Sequence, residues 1–188
     1  MPKQHRVCPW WIGYLLASPL RRLLQDPDEI LAPYIRPGMS VLEPGPGMGF
    51  FTLPIARMVG DKGCVYALDL QKKMLEGLER RARKAGLDGR IRPRLVKPDS
   101  LDAADLAGKI DVVCAFAVVH EMPSADRFFS EAAATLKPDG LLLFAEPAGH
   151  VCSADFEAEL EAAKRQGLYI AERPVVRRSH TAVLKKLT

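Results

Sequence analysis

"VLEPGPGMGFF", residues 41–51, sets three glycines at alternate positions between a short apolar run and a pair of phenylalanines. An apolar strand, a glycine turn and a following helical pattern put such a loop at the carboxyl end of a strand, where ligands of open α/β sheets bind. Glycine there lets backbone approach a ligand and adopt positive φ. Two phosphate-binding readings fail on spacing. A GxGxxG or GxGxxA fingerprint counted from Gly45 puts Phe50 where a small residue is wanted, and GxxxxGK[ST] has no match in the chain. Glu43, just before the first glycine, would repel a pyrophosphate and suits a ligand with cationic groups. The loop reads as a site for a nucleoside without phosphates, with a plain strand-to-helix turn as the bland alternative.

Outward from the loop, apolar runs of strand length alternate with longer segments of helical period, the pattern of a parallel sheet built from βαβ units. Strands are expected near Ser40 to Glu43, Cys64 to Asp69, Ile91 to Val96, Ile110 to Phe116 and Leu141 to Glu146, then Leu168 to Arg173 and His180 to Leu187. Met74, Leu75, Leu78, Ala82 and Ala85 form the apolar stripe of one helix, whose basic residues read as a solvated face. "SADRFFSEAAATLKPDG" opens at Ser124 as N-cap, carries Phe128, Phe129, Ala132, Ala133 and Leu136, and is expected to stop at "KPDG". "SADFEAELEAAKRQGL" begins a further helix at Ser153 and ends at Gly167. Only a short run around "RPVVRRS" separates the last two strands, too little for a crossover helix, so they should form an antiparallel hairpin at one sheet edge.

The whole chain bounds these readings. Its 188 residues, 48% apolar and 27% charged, suit one domain with a substantial core. A formal charge of +4 falls short of a dedicated nucleic-acid binder. Cys8, Cys64, Cys114 and Cys152 form no CxxC pair and read as reduced thiols, which favours the cytoplasm. "VCPWWIGYLLASPL" has fourteen uncharged residues, too few to span a bilayer, and runs on directly into a charged helical pattern rather than a cleavage site. No HExxH or cysteine pair fixes a metal site.

Glu43 followed by Gly45-x-Gly47-x-Gly49, with five strands and a terminal hairpin, resembles the class I S-adenosylmethionine-dependent methyltransferases. It is most similar to the small-molecule subgroup that includes ubiquinone and menaquinone C-methyltransferases, and the resemblance runs from about Arg36 to the C-terminus. It implies an α/β fold: a single Rossmann-like, seven-stranded, mostly parallel sheet with an antiparallel last strand and helices on both faces. It also implies S-adenosyl-L-methionine as cofactor and S-adenosyl-L-homocysteine as product. The chain is then one methyltransferase domain, with residues 1–35 as an N-terminal helical arm or lid and residues 36–188 as the cofactor-binding core.

By the same resemblance Glu43, Gly45, Gly47 and Gly49 hold the cofactor, Asp69 takes the ribose hydroxyls and Leu70 packs on adenine. Asp99 accepts from the adenine amino group with Ser100 beside it; either could instead cap a helix over "LDAADL". Backbone around Ala115 and Phe116 helps hold the methionine amino group. Methyl transfer is an in-line displacement that needs a base only where the nucleophile must lose a proton. His120 is the candidate base, the plainer reading being a histidine hydrogen-bonded in the pocket wall. Glu146 and His150, at the same sheet edge, are candidates for orienting the substrate. Trp10, Trp11, Tyr14 and Leu15 recur at helical spacing and read as packing or as the roof of a substrate pocket. Such a roof favours a small apolar or aromatic substrate, or a contact with the membrane interface. Three rivals stay open: an NAD-linked reductase, a catalytically silent cofactor-binding partner subunit, and an RNA methyltransferase using Arg173, Arg177, Arg178, Lys185 and Lys186. The chain lacks the [DNS]PP[YFW] motif that amino-methylating enzymes of the latter kind often carry.

Overall fold

A computed structural model describes residues 25–186; the expected lid residues Trp10, Trp11, Tyr14 and Leu15 lie outside them, as does Leu187. The chain enters through a short helix α1 (Pro27–Leu31), capped by the Asp26 carboxylate on the Asp28 amide. Strand β1 (Ser40–Pro44) leads through the glycine loop into α2 (Thr52–Val59). Then follow β2 (Cys64–Asp69), α3 (Lys72–Lys84), β3 (Ile91–Leu95) and β4 (Ile110–Phe116). Helix α4 (Ala125–Thr135), β5 (Leu136–Pro147), α5 (Ser153–Arg165), β6 (Leu168–Glu172) and β7 (Ser179–Lys186) complete it.

The strands form one sheet in the order β3-β2-β1-β4-β5-β7-β6. Six run parallel; β7 inserts between β5 and β6 and runs against both. The expected hairpin is present, with β6 at the edge. Alternation along the strands sorts side chains onto two faces. Val41, Val65, Val112, Cys114, Leu143 and Val183 face a cluster with Ile55 of α2 and Leu78 of α3. Leu42, Val113, Ala115, Leu142, Phe144 and Leu184 face the opposite cluster under α4 and α5. There Phe128, Phe129, Phe144 and Phe156 form a chain of rings with successive centroids 5.2, 5.3 and 4.9 Å apart.

One boundary differs from the sequence reading. Helix α4 starts at Ser124 as expected, its hydroxyl accepting from the Arg127 amide at 3.2 Å, but it ends at Thr135. Leu136 is already extended and pairs with Ile110. Pro138 disfavours helical geometry at Lys137, and burial of Leu136 in the sheet outweighs its place in the helical stripe. "KPDG" is an irregularity within β5, with Asp139 at φ 61°.

The ring chain predicts a large cavity cost. Phe144→Ala should lower the unfolding free energy by about 3–5 kcal/mol in urea titrations; a loss under about 1 kcal/mol would show that the rings do not carry this half of the core.

Candidate active site

Strand order reverses between β1 and β4, so the chain leaves their carboxyl ends in opposite directions and opens a crevice there. A cavity of about 330 Å³ occupies it, within the usual range for small-molecule sites. Its floor is the glycine loop. The Gly45 amide donates to the Leu68 carbonyl at 2.8 Å, and the Arg81 guanidinium of α3 grips the Met48 carbonyl from behind. Gly47 lines the cavity at φ 53°, and a side chain there would meet no protein atom, leaving room for ligand to lie against backbone. Gly49, expected on the cofactor, does not line the cavity. At φ 86°, a Cβ on it would sit 2.5 Å from Leu78 Cδ1, so the third glycine lets the loop close onto α3.

Two buried carboxylates stand at this floor. Desolvation pushes Glu43 up to about 8, with the charge of Asp69 adding to the rise and the nearby Thr52 hydroxyl opposing it. Neither Glu43 Oε2 nor Thr52 Oγ1 has a partner in good hydrogen-bond geometry. Asp69, at the end of β2, accepts from the Gln71 amide at 2.8 Å; burial raises it to about 6 against backbone amides at Gln71, Gly47 and Leu70. A buried, unsatisfied carboxylate oxygen beside open glycine backbone fits a ligand bearing an ammonium group, and disfavours a phosphate.

The opposite end of the cavity is lined by Leu70, Met74, Val96, Lys97, Ser100 and Leu101. Ser100 is where the resemblance implies, but Asp99 is not: its carboxylate accepts from Arg127 Nη1 at 2.7 Å on α4 and lines no part of the cavity. The segment after it forms only a short 3-10 turn at Ala104–Leu106, so Asp99 caps no helix there either. Ala115 lies fully buried in β4; Phe116 and Ala117 form the wall instead, with Ala117 held at φ 56° and its amide on the Ala145 carbonyl at 2.8 Å.

His120 stands on this wall just after β4. Its Nδ1 lies 2.5 Å from Glu146 Oε2. Glu146, at the end of β5, is 0% exposed and accepts through Oε1 from the Val119 amide at 2.8 Å. It therefore orients His120 rather than a substrate, and with Nδ1–H given to Glu146 the ring presents Nε2 as its base nitrogen. Burial by itself lowers the imidazole, but the Glu146 hydrogen bond and charge, with Glu121 and Glu159, outweigh it and leave His120 raised. His150 lines the same cavity, its ring 5.8 Å from that of His120.

A second cavity, of about 630 Å³, adjoins the first across Phe51, Phe116, Ala117 and Pro147. The Phe51 and Phe116 rings are 4.3 Å apart between centroids. Leu143, Ala182 and Val183 add apolar wall, and Glu29, Tyr34, Arg177 and Thr181 bring polar groups. Residues before β1 reach both strands of the terminal hairpin here: Tyr34 OH donates to Glu172 Oε2 at the end of β6 at 3.1 Å, and Gln25 Nε2 to Ser179 Oγ at the start of β7 at 3.0 Å. Sequence reading missed these residues, because no local pattern signals that β7 returns beside β5. Among the described residues no three His, Cys, Asp or Glu gather as a metal site, and no helix is long and apolar enough to cross a membrane.

The fold and the cavity define a Rossmann-like α/β domain with a small-molecule crevice at its switch point. The family model described as "Methyltransferase domain" matches residues 35–175, and the chain belongs to that family, whose cofactor is S-adenosyl-L-methionine. Nocamycin O-methyltransferase of Saccharothrix syringae is 34% identical over 64% of this chain and 40% of its own length. A ubiquinone/menaquinone biosynthesis C-methyltransferase of Vibrio vulnificus is 29% identical over 59% of this chain and 42% of its own. The chain thus spans about two-fifths of the length of these relatives. A SAM-dependent methyltransferase from Aquifex aeolicus superposes with a TM-score of 0.83 at 24% identity, over 95% of this chain and 98% of that one. The [4+2]-cyclase SpnF shares the fold with a TM-score of 0.72 at 18% identity, over 85% of this chain and 79% of that one; fold alone does not name the reaction.

Glu43 and Asp69 make the stability of the fold sensitive to pH. Unfolded, they titrate near 4.5 and 3.8; folded, near 8 and 6. Below both unfolded values each form holds its protons and burial costs nothing extra. As pH rises past the unfolded values the unfolded chain releases protons that the fold retains, so stability falls until the folded groups themselves titrate, near 6 for Asp69 and near 8 for Glu43. The unfolding free energy of the ligand-free protein should fall between about pH 4 and 8, and Glu43→Gln should remove most of the fall above about pH 6, on the order of a few kcal/mol. A parallel pH profile for the variant would overturn the assignment.

Proposed function

We propose that the chain is an S-adenosylmethionine-dependent methyltransferase for a small acceptor with a planar apolar body and a proton-bearing nucleophile, a phenol, an enol or an activated ring carbon. The observation that carries this reading is the Glu146–His120 pair, which puts an oriented imidazole on the wall of the cofactor cavity. The adjoining cavity supports it, with the tilted Phe51 and Phe116 rings as an apolar wall between donor and acceptor spaces. So do the relatives, one named for nocamycin O-methylation and one for C-methylation in ubiquinone/menaquinone biosynthesis.

When bound, S-adenosylmethionine supplies a methyl group on a sulfonium for in-line displacement. In this reading the chain's own residues do the rest. Glu43 meets the ammonium group, Gly45 and Gly47 let ligand lie on backbone, and Asp69 accepts from the ribose hydroxyls. Leu70, Met74 and Val96 bracket the adenine, while Phe116 and Ala117 wall the methionine part. His120 takes the acceptor's proton at Nε2 while Glu146 holds Nδ1. The described residues before β1 wall the acceptor cavity, with Asp26, Glu29 and Tyr34 lining it. We place the reaction in the cytoplasm, in keeping with the free thiols of Cys64, Cys114 and Cys152. Against RNA as acceptor, Arg173 is held by Glu157 at 2.6 Å and Lys186 by the Leu136 carbonyl at 3.1 Å, which takes two of the five hairpin cations out of a binding patch.

The test is methyl transfer to a panel of catechols and naphthoquinols. Turnover should fall on the acid side as His120 protonates, above the ordinary value near 6.5. His120→Asn should lose roughly 10²- to 10⁴-fold in rate while still binding S-adenosylhomocysteine, and Glu146→Gln should move the acid limb to lower pH. Methylation of RNA with strongly salt-dependent binding, and none of any panel member, would overturn the proposal, as would full activity in His120→Asn.

A further inference from the structure

The loop after β3 supplies one end of the cofactor cavity through Val96, Lys97, Ser100 and Leu101. It follows an edge strand, so no neighbouring strand braces it on the outer side. Its bracing comes instead from one face of α4. Glu131 Oε2 accepts from the Leu101 amide at 2.5 Å, and both carboxylate oxygens accept from Ser100 Oγ at 3.1 and 3.2 Å. Arg127, one turn earlier, donates Nε to Glu131 at 2.9 Å and Nη1 to Asp99 at 2.7 Å. Three consecutive residues, Asp99, Ser100 and Leu101, are thus tied to one pair of side chains at i and i+4. The turn is closed internally by Ser100 Oγ on the Asp102 amide at 3.0 Å and the Asp102 carboxylate on the Lys97 amide at 3.2 Å. Asp102 sits at φ 45°, a geometry a free loop would not hold by itself.

We infer that Glu131, supported by Arg127, is a positioning residue for the adenosine end of the cofactor, acting through the Ser100–Leu101 backbone without touching ligand. The inference rests on adenine lying at the Leu70, Val96 and Leu101 end of the cavity. The Leu101 amide and the Ser100 hydroxyl both point their hydrogens at Glu131, so neither serves as a donor to the base. What the loop offers is placement: the Leu101 side chain, 2% exposed, is anchored in the core beneath α4, and Ser100 forms the rim. A carboxylate suits this task because it accepts from the backbone amide, the hydroxyl and the guanidinium at once, and charge-assisted bonds are the stronger kind.

Calorimetric binding of S-adenosylhomocysteine and of methylthioadenosine, which lacks the amino-acid end, tests the inference together with thermal melts of the ligand-free protein. Glu131→Ala should weaken both ligands by a similar factor, about tenfold, equivalent to about 1.4 kcal/mol, and speed amide hydrogen exchange across 97–101. Glu131→Gln keeps an oxygen for the Leu101 amide and should restore most of the affinity. Arg127→Ala should weaken both ligands by a smaller factor and keeps the test alive if Glu131→Ala does not fold. A melt lowered with affinity intact would make Glu131 merely structural. Loss for S-adenosylhomocysteine without loss for methylthioadenosine would place its effect at the other end; either result overturns the inference. Weak binding of S-adenosylhomocysteine by the unsubstituted protein itself would strike the cofactor reading instead, which separates the two failures.

Discussion

The reversal of strand order at β1 is the constraint on which the rest depends. β1 pairs with β2 along its whole length and with β4 through Val41 and Leu42, and the segments leaving β1 and β4 diverge. Everything chemical in the molecule stands where they part: the glycine loop on one side, the Phe116–His120 turn on the other. The two apolar clusters and their helices hold the strands in this register, and the crevice follows from it.

The crevice concentrates negative charge in a way the core would not otherwise tolerate. Glu43, Asp69 and Glu146 are the buried carboxylates of the described residues, and they differ in what meets them. Glu146 has an imidazole and an amide to meet it. Glu43 has an unsatisfied oxygen, and burial lifts it into the range where neutral and ionised forms are both within reach near neutrality. The first arrangement fixes a side chain; the second awaits a cation. Fold stability is therefore surrendered at the site that binds, the usual place for a local rule to be broken.

Much of this was legible in the residues. The central strands announced themselves because they are apolar runs short enough to exclude a helix, and the glycine spacing told a nucleoside loop from a pyrophosphate one because Phe50 cannot replace a small residue. Helix α4 was read too long because Leu136 fits both a helical stripe and a buried strand, and only its pairing with Ile110 decides. The side-chain partnerships were out of reach for another reason. Asp99 finds Arg127, Glu146 finds His120 and Gly49 yields to Leu78 across more than two dozen residues each, and no local spacing encodes such choices. The second cavity is the extreme case, since it is assembled from the segment before β1 and from β7, inserted between β5 and β6.

That last strand has a consequence for how such a molecule can diversify. Because β7 runs against its neighbours, its first residues, Ser179 to Thr181, stand at the same end of the sheet as the carboxyl end of β5. The connection from β6, Arg173 to Arg178, therefore opens beside the second cavity and far in sequence from the glycine loop. Insertions and replacements in that connection could reshape what is accepted while leaving the donor loop, its carboxylates and its braces untouched. An inherited methyl-donor module and a freely varying acceptor mouth can then evolve on one sheet at different rates.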